Sequence, residues 1–219
     1  ILDIQTADFG VMLAVPGLGI LGEEVKAPTT KIIPIGGETV QFDRWTLPKA
    51  PMIGVIGTAP LSGSIPCGTP HDHGGNMDTK DVKAGHSIYL PVFQAGGQLA
   101  MGDVHAAMGD GEVCGTGVEC SAEVTVRVTV VKDFAIQRPL IMTDRSLQAI
   151  ASAETVEEAS RLALEQVIAF LVDKEGLAFN DAYCLSSLVV DMKISQLVDP
   201  LVTVRAELPL TYVTQPLHG

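Results

Sequence analysis

The sequence predicts a β-rich α+β fold, with a sandwich-like core of stacked sheets and a helical hairpin near the C-terminus. Three observations lead there. Apolar residues come mostly in short runs stopped by glycine and proline, of which the chain has 22 and 13, the pattern of short strands and many turns. One long stretch, residues 152–175, repeats its apolar positions at helical spacing. The order is many strands, then helices, then a strand. Hydrophobic residues make up 47% and aromatics only 5%, so the core must be built from Val, Leu, Ile and Ala.

The elements follow in chain order. Ile1-Leu2-Asp3-Ile4 reads as the middle of a strand, with no initiator Met; the chain is expected to begin partway through a longer protein. Val11 to Val15 is an apolar run stopped by Pro16-Gly17. Lys31 to Ile35 and Thr39 to Phe42 flank Gly36-Gly37-Glu38, a hairpin signal. Pro51 to Gly57 reads as a short buried strand, and residues 67–85 as a Gly-, Asp- and His-rich loop. His86 to Phe93 is expected to turn at Gln94-Ala95-Gly96-Gly97 and pair with Gln98 to Met101, setting Asp103 near Ile88 and His105 near His86. Glu119 to Val131 alternates strictly, as a half-buried strand does. Ser152 reads as the N-cap of a helix whose apolar stripe runs from Val156 to Leu171 and which Gly176 closes. Asp181 to Val190 predicts a second helix, and Val202 to Leu208 a closing strand ended by Pro209. Residues 1–150 form the β-rich catalytic part; residues 151–219, the helical hairpin and closing strand, pack as the same domain.

Lys and Arg number 14 against 26 Asp and Glu, a net charge of −12. Such a surface repels phosphate backbones, which argues against nucleic acid as a partner. The start, Ile1-Leu2-Asp3-Ile4-Gln5, lacks the positive and apolar regions of a signal peptide, and no run reaches the roughly 18 apolar residues a membrane span needs. Cys67, Cys114, Cys120 and Cys184 contain no CxxC pair and suit reduced thiols in a cytoplasmic protein. A homodimer is the default assembly, because closed dimers are the commonest oligomers. His218, isolated near the C-terminus, reads as exposed and without a role.

Two segments carry chemistry. His71, Asp72, His73 and Asp78 crowd around Gly74-Gly75-Asn76-Met77, where the glycines allow close backbone approach to a ligand and His and Asp are ligands for a divalent ion. The second runs from Gly102 to Glu112. Asp103 and His105 are two apart and point the same way on a strand; Asp110 and Glu112 repeat that spacing across a glycine-rich bend. Glu119 is the last polar group before the alternating strand. Each segment alone also fits a polar surface loop or an acidic turn.

His73-Gly-Gly-Asn-Met-Asp78 and Gly102-Asp-Val-His-Ala-Ala-Met-Gly-Asp-Gly-Glu112, followed by Cys-Gly-Thr-Gly-Val-Glu119, resemble the signature segments of the acetamidase/formamidase family, as do the Ile88 to Val92 strand and the later run from Asp181 through Ser186 to Asp199-Pro200. The resemblance implies hydrolysis of formamide, acetamide or related amides to carboxylate and ammonia; plant relatives act on indole-3-acetamide. It also implies further N-terminal strands before Ile1, so that a separate N-terminal segment of the same protein is an expected partner. Met108 stands where many relatives have Gln, which bears on pocket polarity and substrate choice.

The leading expectation is a divalent metal, zinc or else calcium, held by His73, Asp78, Asp103 and His105, with Glu112, Glu119 and Asp110 as the catalytic carboxylates and Gly75, Asn76 and Met108 contacting a small neutral amide. Two alternatives stand beside it. One is a Cys114 nucleophile flanked by Glu112, with Lys80 or Lys83 as cation. The other is a non-catalytic metal-stabilised β domain that binds ligands.

Overall fold

The computed structural model describes residues 1–217; His218 lies outside the described residues. The strands are β1 (Asp3–Thr6), β2 (Phe9–Ala14), β3 (Thr29–Gly36), β4 (Thr39–Phe42), β5 (Trp45–Pro48), β6 (Met52–Gly57), β7 (Gly74–Asn76), β8 (Ser87–Tyr89), β9 (Ala100–His105), β10 (Glu119–Cys120), β11 (Ala122–Thr125), β12 (Leu140–Met142) and β13 (Ser146–Ala153). Helices α1 (Val156–Asp173) and α2 (Phe179–Val189) follow, then β14 (Asp191–Gln196) and β15 (Val202–Pro209). Among the described residues no helix is long and apolar enough to cross a membrane.

Three layers result. An eight-stranded sheet has the order β5-β4-β3-β2-β10-β9-β6-β7, a five-stranded sheet the order β14-β15-β13-β12-β8, and β1 pairs with β11 alone. The helices cover one face of the five-stranded sheet and the larger sheet covers the other. β13 records this in its burial. All eight of its residues are buried, because Leu147, Ala149 and Ala151 pack against Val167 and Leu171 of α1 while Ile150 joins Ile53, Ile56 and Val104 of the larger sheet. A strand covered on both faces cannot show a polar alternation. Each fully buried Leu in this core contributes roughly 1.5–3 kcal/mol. The expected boundary at 150/151 falls inside β13, and both helices share one apolar cluster with β13 and β15.

The predicted β3–β4 hairpin forms, with Ile35 opposite Val40. The helix begins later than expected. Ser152 lies in β13 and bonds Thr203; the N-cap is Thr155, whose hydroxyl accepts from the Glu158 amide at 3.2 Å. Gly176 does follow the helix in the left-handed region, at φ 73°.

Two strand assignments are corrected. The turn at Gln94–Gly97 exists, with the Gly97 amide bonded to the Gln94 carbonyl, but the strands around it enter different sheets. β8 pairs with β12, whereas β9 lies between β6 and β10, so His105 faces Met52 and Glu119 rather than His86. Pro91 cannot donate to a ladder, and β8 ends before it, at Tyr89. Likewise the alternating run from Glu119 breaks at Ser121 and ends at Thr125. Its partner β1 offers only residues 3–6, and beyond that pairing Val128 and Val130 are 67% and 69% exposed.

Candidate active site

The site grows from β9 and its two neighbours. Asp103 and His105 project from the same face of β9, as a two-residue spacing requires, and His105 Nε2 lies 3.3 Å from Asp103 Oδ1. Glu119 sits directly opposite His105 across the β9–β10 pairing, which brings its Oε2 to 3.1 Å from Nε2; its Oε1 accepts from the Gly117 amide at 2.9 Å. Asp78, just after β7, adds a carboxylate 3.7 Å from the same nitrogen. On the other side of the ring, Nδ1 is 3.3 Å from Met108 Sδ. Glu112 and Asp199 complete the cluster: carboxylate and imidazole atoms of Asp78, Glu112 and Asp199, and of His105, Glu112 and Glu119, lie within 4.8 Å of one another in each set.

The backbone is bent to achieve this. Asp78, Asp103 and Glu112 occupy the left-handed region at φ 40°, 56° and 46°, a conformation that costs a non-glycine residue free energy and concentrates at functional sites. Gly54 of β6 gives the carboxylates room: a Cβ there would stand 2.4 Å from Asp78 Oδ1 and 2.5 Å from Asp103 Oδ2. Gly117 does the same for His105, where a Cβ would lie 2.5 Å from Nδ1.

Five carboxylates around one imidazole perturb one another strongly. Burial, then repulsion from Glu112, pushes Asp78 up to about 9. Burial raises Glu112 to about 7, partly opposed by His105, and Asp199 to about 6. Glu119 is raised by burial as well. For His105, burial works downward, but contacts with Asp103 and Glu119 outweigh it and carry the ring up to about 11. Asp103 is held low despite burial, by His105. The cluster thus calls for positive charge, whether protons or a divalent cation.

A divalent ion fits these residues. Asp78 Oδ1 and His105 Nε2 are both buried without an aligned hydrogen-bond partner, although each side chain is only 1% exposed. One ligand atom each from Asp78, Asp103 and His105 falls within 4.8 Å of the others. An imidazole with hard oxygens suits zinc, and the surplus of carboxylates suits calcium.

The other expected residues are placed differently. His73 takes no part in the sets of metal-capable side chains among the described residues; its ring lies near Gly75 and Gly57. Asp110 is engaged by cations, with both oxygens on the Arg205 guanidinium at 3.0 and 3.1 Å and Lys80 at 3.0 Å. Asn76 donates to Asp199 Oδ2 at 3.0 Å. Gly75 belongs to β7, opposite Ile56. Cys114 Sγ meets only Thr116 among the described hydrogen bonds. The cations that would serve it are paired elsewhere, Lys80 with Asp110 and Lys83 with Asp81. Asp199, Gly54 and Gly117 were not among the expected site residues. Asp199 stood in a run quoted for the family resemblance; Gly54 carried no signal, because a glycine in an apolar strand does not announce what it packs against.

Asp103 and Glu119, each about one-third exposed (32% and 31%), connect the buried centre to the surface. They line a cleft of about 350 Å³ with Phe9, Gly10 and Cys120. A larger hollow of about 660 Å³ lies over the loop from Thr58 to Thr69 and reaches His73 and Gly75. None of the five carboxylates lines it.

Buried acids are gathered around one imidazole, and two of them, Asp103 and Glu119, open onto the cleft; such perturbed clusters concentrate at functional sites. The chain belongs to the acetamidase/formamidase family, whose profile matches residues 62–214. It is similar to an acetamidase from Bacillus halodurans, at 48% identity and a TM-score of 0.95 over 97% of this chain and 72% of that one. It is also similar to an acetamidase from Yersinia enterocolitica, at 34% identity and a TM-score of 0.91 over 98% and 69%. A formamidase from Methylophilus methylotrophus is 39% identical over 77 residues, which span 32% of this chain and only 19% of that protein.

Proposed function

We propose that this protein hydrolyses a small neutral carboxamide, of the size of formamide or acetamide, to the carboxylate and ammonia. The observation that supports this best is the convergence of buried Asp78 and His105 with Asp103, Glu112 and Glu119, of which Asp103 and Glu119 line a cleft of about 350 Å³, in a chain of this family.

An amide carbonyl is a weak electrophile and its amine a poor leaving group, so water must be activated, the oxyanion stabilised and nitrogen protonated. Glu119 reaches both the cleft and His105 and acts as the general base that takes a proton from water. Glu112, whose carboxyl burial pushes upward, acts as the general acid that delivers a proton to the departing nitrogen, since an acid works best when its pKa is near the working pH. Asp78, Asp103 and His105 would hold a divalent ion, which would supply Lewis acidity and lower the pKa of water towards ~7. Asn76 keeps Asp199 in place through its amide.

The test is ammonia release from formamide and acetamide by the purified protein, before and after metal is stripped and returned, with elemental analysis of each sample. Turnover that disappears with the metal and returns with zinc or calcium supports the whole reading. Turnover indifferent to metal removes the ion, and no turnover on any simple amide removes the hydrolase.

A further inference from the structure

Asp78, Glu112 and Asp199 approach one another from three segments far apart in the chain. None of the three lies in a strand or helix. Something must hold those segments in register, and one side chain is linked to all three, directly or through the residues it bonds.

Arg205 is fully buried, at 0% exposure, in the middle of β15. Its neighbours Ala206 and Leu208 face the helices, so Arg205 faces the larger sheet. One end of the guanidinium donates to both oxygens of Asp110, at 3.0 and 3.1 Å, two residues before Glu112. Nη1 donates to Ser195 Oγ at 3.0 Å, and the same oxygen accepts from Thr79 Oγ1 at 2.8 Å, the residue after Asp78. Ser195 in turn accepts the Gly111 amide on its carbonyl at 2.7 Å, and the Gly111 carbonyl accepts from Leu197 at 3.2 Å. Gln196 continues the chain of bonds, its Oε1 accepting from the Asp199 amide at 3.0 Å. Both bonds to Asp110 come from the one nitrogen Nη2; a charge-assisted pair of this kind is stronger than a neutral hydrogen bond, and the guanidinium side of it is buried.

We propose that Arg205, acting through Asp110 and Ser195, is the positioning residue that assembles Asp78, Glu112 and Asp199 into one acid cluster. This rests on the hydrolytic reading for its consequence in catalysis, but the assembly itself is independent of turnover. It also explains the otherwise idle Asp110: its carboxylate locks the loop that presents Glu112.

The experiment compares wild type with Arg205→Lys, Asp110→Ala, the double variant, and Arg161→Ala on the exposed face of α1 as control. Hydrogen–deuterium exchange reads the amides of residues 109–112 and 195–199, and steady-state kinetics reads kcat and KM per folded molecule. Exchange in those two segments should accelerate at least about tenfold in each single variant, with α1 unchanged, because the bonds that protect them open locally. In the same variants kcat should fall at least about tenfold with KM within about threefold. The double variant should be no worse than the more damaged single one, as expected of groups acting as one unit. Unchanged exchange in both segments overturns the proposal. So does unaltered kcat in folded variants of an active wild type, or a loss confined to global stability. A wild type without turnover refutes the hydrolytic reading alone, and the exchange data still decide the role of Arg205.

Discussion

Replacing Gly54 with alanine tests the geometry of the site at a position no motif marks. The added methyl would meet Asp78 Oδ1 at 2.4 Å, Asp103 Oδ2 at 2.5 Å and the Asp103 carbonyl at 3.0 Å. Comfortable contact lies near ~3.5 Å, so both carboxylates must retreat by about 1 Å. Asp103 has a route towards the cleft, but Asp78 is 1% exposed and its backbone is already at φ 40°. Overpacking of this kind costs about 1–3 kcal/mol, which at ~3 °C per kcal/mol for a chain of this size lowers Tm by roughly 3–9 °C. A shift of ~1 Å in a reacting group costs about a hundredfold in rate, so kcat for formamide should fall by about that factor in molecules that remain folded. Gly102→Ala is the paired control. It lies beside Asp103 within the recognisable motif, yet nothing stands within 4 Å of its Cβ, and it should change Tm and kcat little. Wild-type kcat in Gly54→Ala, or equal damage in Gly102→Ala, would refute the claim that Gly54 makes room for the two acids.

Four further outcomes are expected. Asp78→Asn and His105→Gln should each lower the divalent cation recovered with the protein, measured by elemental analysis after dialysis; retention of a full equivalent in both would sink the proposed ligand set. Without metal, Tm should fall as pH rises from about 5 to 8. Asp78, Glu112 and Asp199 are raised to about 9, 7 and 6 and His105 to about 11, so the folded state binds more protons than the unfolded chain and stability is lost as pH climbs through those values; added zinc or calcium should reverse the trend, and a Tm that rises with pH would contradict the cluster's electrostatics. Cys114→Ala should retain kcat within about twofold, since its sulfur meets only Thr116 among the described hydrogen bonds; inactivity would revive a thiol nucleophile. Gly117→Ala should damage kcat more than Tm, because its Cβ would press on the His105 ring at 2.5 Å, and a normal kcat would show that the ring has slack.

The sequence by itself determined what local patterns can carry. Helical spacing located α1 and α2, and the Gly37 turn located the β3–β4 hairpin, because both depend on residues a few positions apart. The clustering of His, Asp and Glu within two glycine-rich segments identified Asp78, Asp103, His105, Glu112 and Glu119, and the two-residue spacing put Asp103 beside His105. Tertiary structure alone decided which strands become neighbours. β9 chose β6 and β10 over the nearby β8, since burial on both faces of a layered core outweighs closeness in sequence. That choice put Glu119 opposite His105 and Gly54 beneath the two aspartates. It left His73 outside the cluster and brought in Asp199, from a loop whose position is held by bonds to Gln196 and Asn76. Alternation along a strand records which side chains share a face, but not which strand lies alongside, because the pairing partner is selected by the packing of whole sheets rather than by either strand's own residues.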